Sequence, residues 1–137
     1  MKILGIDYGT KRVGIAVSDD TGSIAFPKAV LKNSHTLLSE IKATIESNNI
    51  AEIVVGKSLD TKGEENVLME YIRQFVDLLQ KDIKLPVHLE PEQFTSQEAH
   101  KGKRGGEVSE HMIDAAAASL ILQRYLDKKN KQKGDVV

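Results

Sequence analysis

Three acids occupy places from which a carboxylate could do chemistry: Asp7, Glu92 and Asp114. Asp7 ends an apolar run, Ile3-Leu4-Gly5-Ile6, that reads as a buried strand. A strand of that kind ending on a charge needs either a turn that satisfies it or something positive beside it. Glu92 lies just past a short strand-like segment, and Asp114 lies one turn inside a long helical stretch. Brought together, three carboxylates repel unless a cation joins them. The chain has no cysteine, and no His cluster accompanies these acids. Hard oxygen donors of that kind select Mg2+ or Mn2+. Two such ions, roughly 3.5–4 Å apart, activate a water and stabilise the leaving oxygen in phosphodiester cleavage. Each acid taken singly has an ordinary reading as well. Asp7 suits a turn, Glu92 beside Pro91 suits a solvated loop, and Asp114 near a helix start suits the dipole.

Cations stand close to the first acid. Thr10, Lys11 and Arg12 fill a turn bracketed by Gly9 and Gly14. There they read either as sequence-blind phosphate contacts or as an ordinary solvated turn. Lys103 and Arg104 belong to the basic, Gly-rich stretch 101–106, which reads as a clamp on a nucleic-acid strand or as a connector. His111 precedes Asp114 by three positions, on one helix face. Its imidazole could ligate a metal or handle a proton near neutral pH, or simply face solvent. His35, His88 and His100 show no such arrangement and read as structural or exposed.

The elements that must position these residues follow from the hydrophobic pattern. Residues 2–7 and 13–18 read as a β-hairpin, and 24–30, carrying Pro27, as a third strand at an edge. Leu37, Leu38, Ile41 and Ile45 recur at helical spacing, with Ser34 as N-cap and Asn48-Asn49 as the stop. Ile53-Val54-Val55 suits a buried parallel strand. A second helix shows one apolar face, Leu68, Tyr71, Ile72, Phe75 and Leu79, and Pro86 to Leu89 reads as a fifth strand. Residues 95–101 read as a short helix, and Ser109 as the cap of a last helix whose Ala115–Ala118 run permits close approach to a sheet. The order is βββαβαβα, an α/β fold with one mixed five-stranded sheet and helices on both faces. Residues 1–127 read as a single domain and 128–137 as a flexible, basic tail.

Composition sets the bounds. Among 137 residues, 40% are apolar and 28% charged, the proportions of a soluble globular protein. No stretch is long enough to span a bilayer, so no membrane partner is expected and a cytoplasmic protein is. A net charge of −1 leaves nucleic-acid contacts to local basic patches. With no Trp, a base-stacking platform is disfavoured. No apolar stripe stands out beyond what a core requires, which suits a monomer or a weak homodimer.

The segment Leu4 to Asp19, LGIDYGTKRVGIAVSD, resembles the opening of the YqgF family, also called RuvX. Ile53-Val54-Val55-Gly56 and Asp114 to Ala118 followed by Ile121 to Leu126 extend the likeness to about Asp127. The resemblance implies a ribonuclease-H-like fold and a metal-dependent nuclease acting on structured RNA, in maturation of the 5′ end of precursor 16S ribosomal RNA. Alternatively it implies a Holliday junction resolvase acting on branched DNA. By the same likeness Asp7, Glu92 and Asp114 are the catalytic, metal-binding acids, for two Mg2+ or Mn2+ ions. His111 resembles the accessory residue that the related RuvC resolvases carry beside their catalytic Asp. The chain departs from the family pattern at Pro91 and Gln93, where an Asp and an Arg usually flank the acid. It departs again at Lys57-Ser58, where an apolar residue and Pro usually follow the glycine. A missing Arg removes a bidentate phosphate clamp, for which Lys57 could substitute a point charge. Two rivals stand beside the nuclease. One is a non-catalytic nucleic-acid-binding or regulatory module of the same fold. The other is an actin-like ATPase half, disfavoured because a second domain is lacking.

Overall fold

The computed structural model describes residues 1–60, 62–91 and 110–135. Its strands are β1 (Lys2–Tyr8), β2 (Arg12–Ser18), β3 (Ala25–Lys32), β4 (Ile50–Lys57) and β5 (Val87–Pro91). Its helices are α1 (Leu37–Asn48), α2 (Leu68–Asp82) and α3 (Glu110–Asp135). The strands form one sheet in the order β3-β2-β1-β4-β5. β1, β2 and β3 pair antiparallel, whereas β4 joins β1, and β5 joins β4, in parallel. The expected βββαβαβα order and mixed sheet are what the chain adopts.

Side-chain alternation along the strands divides the core in two. On one face Leu4, Ile6, Val13 and Ile15 pack with Leu37 and Ile41 of α1 and with Met69, Ile72, Phe75 and Leu79 of α2. On the other, Ile3, Ala16 and Val54 meet Ala118, Ile121, Leu122 and Leu126 of α3. Each fully buried Leu or Ile contributes on the order of 1.5–3 kcal/mol through the apolar area it hides. Two glycines set how closely α3 can lie. A Cβ on Gly5 would fall 2.7 Å from the Leu122 Cβ, and one on Gly14 would fall 2.0 Å from the Asp114 carbonyl oxygen.

Several expectations shift in detail. α1 begins at Leu37, with Thr36 rather than Ser34 at the cap and no side-chain capping bond. Ser34 instead bonds the Thr36 hydroxyl, tightening the turn before the helix. The stop at Asn49 holds, its backbone left-handed at φ 53°. Tyr71 is 49% exposed, because the buried arc of α2 is centred on Ile72 and includes Met69 instead. Pro27 does sit in the edge strand β3. Residues 128–135, expected as a tail, continue α3, and Lys128 and Lys129 reach back to acids of the sheet. The expected helix at 95–101 and the cap at Ser109 lie outside the described residues. No described helix is long and apolar enough to cross a membrane.

Candidate active site at the carboxyl edge of the sheet

β1, β4 and β5 run parallel, so all three end at one edge, where ligand sites form in α/β sheets. Asp7 stands at that edge, directly opposite Gly14 in the β1–β2 ladder. Cross-strand partners project to the same face, and the Gly14 face is the one α3 covers, with the Asp114 backbone seated on it. Asp7 and Asp114, 107 positions apart by subtraction of their numbers, are thereby brought together. Two hard oxygen donors on a water-accessible rim suit a divalent cation. Among the described residues no group of three carboxylate, imidazole or thiol side chains converges on one point. Glu92 follows Pro91, the last residue of β5, and lies outside the described residues, as do Lys103 and Arg104. His111 falls in the first turn of α3, and its side chain is outside what is described.

The cations of the hairpin do not all face solvent. Thr10 and Lys11 are exposed in the turn. Asn33 braces that turn: its backbone N–H donates to the Lys11 carbonyl at 2.9 Å, and its side-chain amide donates to the Gly9 carbonyl at 2.8 Å. Arg12 turns instead toward α3, and its Nε donates to Asp114 Oδ2 at 2.7 Å. Lys57 ends β4 on the α2 side of the sheet, away from Asp7, with its Nζ 3.5 Å from Glu65 Oε2. Glu65 is also clasped by Arg73. Hydrogen bonding from Arg73, joined by the charges of Arg73 and Lys57, holds the Glu65 carboxyl below the usual range despite some desolvation. To meet a phosphate, Lys57 must leave Glu65.

A second polar group, with no signature in the sequence, lies under the far half of α3. Glu90 is 4% exposed near the end of β5, with its Oε2 2.6 Å from Lys128 Nζ. Lys129 Nζ lies 2.6 Å from Glu52 Oε2, and His88 Nε2 lies 3.3 Å from Glu52 Oε1 without hydrogen-bond alignment. Tyr125 stacks on His88 at 5.3 Å between ring centroids. Burial alone would raise the Glu52 carboxyl, but Lys129 and then His88 outweigh it and leave that carboxyl below its usual value. Burial pushes the Tyr125 hydroxyl up. His88 and Glu90 alternate with Val87 and Leu89 along β5, and Tyr125 and Lys128 of α3 meet them there.

A mixed sheet in this strand order, with helices packed on both faces, defines a domain with a ribonuclease-H-like fold. A family model described as RuvX, Holliday junction resolvase, matches residues 1–128, and the chain belongs to that family. A relative from Koribacter versatilis is 40% identical over 134 residues, covering 93% of this chain and 88% of its own. Another, from Halothermothrix orenii, is 36% identical over 140 residues, covering 98% of this chain and 100% of its own. Both carry the name pre-16S rRNA nuclease. Among solved structures, Thermus thermophilus RuvC in complex with a Holliday junction substrate superposes with a TM-score of 0.58 at 15% identity, over 94% of this chain and 95% of that one. Fowlpox virus resolvase with Holliday junction DNA gives 0.57 at 14%, over 93% and 98%. At those identities the likeness is one of fold.

Proposed function

We propose that this chain is a divalent-cation-dependent nuclease, with Asp7, Glu92 and Asp114 as its cation-holding acids and the 5′ region of precursor 16S ribosomal RNA as its substrate. The observation that supports this best is the seating of Asp114 on Gly14, directly across the ladder from Asp7. A divalent ion bound there supplies Lewis-acid polarisation of the phosphoryl group and a water activated at neutral pH. The remaining work falls to the chain itself. The β1–β2 ladder fixes Asp7, and α3 packed on glycine fixes Asp114, so neither carboxylate must be ordered when substrate arrives. Thr10 and Lys11, exposed in a turn braced by Asn33, offer a hydroxyl and an ammonium to the phosphate backbone. Lys103 and Arg104 extend that contact along the strand, Lys57 joins it once released from Glu65, and His111 assists proton handling beside Asp114.

The names of the relatives favour ribosomal RNA. The family description favours a second reading, branched DNA. Cutting a four-way junction at two symmetric strands asks for two copies of the site related by symmetry, whereas trimming an RNA end asks for one. The test incubates purified protein with a 5′-extended 16S RNA fragment and with a four-way DNA junction, in Mg2+, Mn2+ or EDTA. RNA cleavage that needs the ion and vanishes in Asp7→Asn is the expected result. Symmetric junction cleavage with RNA left intact establishes the second reading. Binding without cleavage under every condition returns the chain to a non-catalytic module.

A further inference from the structure

We infer that Arg12 is the built-in counter-ion of Asp114 and sets how tightly the sheet edge takes a divalent cation. The inference rests on the proposed role of Asp7 and Asp114. Arg12 opens β2 two positions before Gly14, so it projects to the face on which α3 lies. From there its Nε donates to Asp114 Oδ2 at 2.7 Å, across 102 positions of sequence. The guanidinium therefore neutralises the carboxylate that a divalent ion would share with Asp7. Two cations compete for one anion, and either can hold it.

The pair is built to yield. The contact runs from the guanidinium Nε to one carboxylate oxygen, Oδ2. Both partners are open to water, with side-chain exposures of 39% for Arg12 and 25% for Asp114. Solvent screening keeps such a pair weak, so a divalent ion can displace it. A mere tether between β2 and α3 predicts the opposite behaviour: without Arg12 the Asp114 carboxylate would wander and bind an ion less well. The sign of the effect separates the two.

The experiment is calorimetric titration of the full chain with Mn2+ alone, without nucleic acid. Arg12→Gln should bind Mn2+ about fivefold more tightly than the wild type, the size of a solvent-screened ion pair expressed as affinity. Arg12→Lys, a hydrated point charge without the planar guanidinium, should bind about twofold more tightly. Either variant, folded by circular dichroism, that binds Mn2+ no more tightly than the wild type overturns the inference. Asp7→Asn and Asp114→Asn should each weaken binding. Mn2+ binding indifferent to both overturns the proposed site, and the role of Arg12 with it.

Discussion

The backbone of Asp114 stands where a side chain on Gly14 would have to be. A Cβ there would approach the Asp114 carbonyl oxygen to 2.0 Å. A backbone oxygen cannot swing aside as a flexible side chain would, so even a methyl group must push α3 off the sheet. Gly14→Ala should therefore lose about 3 kcal/mol of stability in urea unfolding, at the upper end for overpacking. Cleavage should fall with it, because Asp114 moves away from Asp7. Gly5→Ala meets the Leu122 side chain and the Ala118 carbonyl at 2.7 and 3.1 Å, and should be the milder of the two.

Asp7→Asn keeps the shape of the side chain and the β1–β2 ladder while removing the charge. Thermal melting should remain close to that of the wild type. The initial rate of cleavage in Mn2+ should fall about a hundredfold or more, the loss that follows removal of one group stabilising a transition-state charge.

Lys128 lies in the segment that reads as a basic tail, where substitution would be silent. The structure predicts otherwise. Lys128→Ala takes the ammonium from Glu90, whose side chain is 5% exposed, and leaves a buried carboxylate without that charge. The expected loss is about 1–3 kcal/mol in urea unfolding, as for a buried polar group stripped of a bonded partner. Lys131→Ala, at an exposed position of the same helix, should change stability by less than about 0.5 kcal/mol.

Glu52 carries a pH dependence of definite sign. Burial works against its charged form, but Lys129 and His88 outweigh burial and lower its carboxyl in the folded state from the reference value of 4.5. A carboxyl lowered on folding contributes stability that is complete above its unfolded value and is lost as pH falls through the folded one. Unfolding free energy should therefore decline below about pH 4.5. In Lys129→Ala the decline attributable to Glu52 should shrink, since its leading stabilising contact is gone. Urea titrations of both proteins at pH 6 and pH 3 compare the two slopes.

What the sequence determined by itself is local. The apolar runs Ile3 to Ile6 and Val13 to Val17, joined by a turn between Gly9 and Gly14, marked the hairpin, the spacing of Leu37 and Ile41 marked α1, and the Ile53–Val55 run marked a parallel strand. Those signals follow from backbone periods of two and 3.6 residues, which a chain expresses without knowing its neighbours. Asp7 was legible because a charge ends a buried strand, and Asp114 because it lies one turn inside a helix, just before an alanine run. Only the tertiary structure decided where α3 crosses the sheet. That crossing seats Asp114 on Gly14, turns Arg12 from a solvent-facing turn cation into a partner of Asp114, and covers Glu52, His88 and Glu90. It also recruits Lys128 and Lys129, which composition assigns to a loose end. The physical reason is that a helix settles where the opposing side chains are smallest, and charge pairing then follows that seat. Which glycine on one strand faces which carbonyl on a distant helix is a property of the assembled layers, and no period along the chain records it.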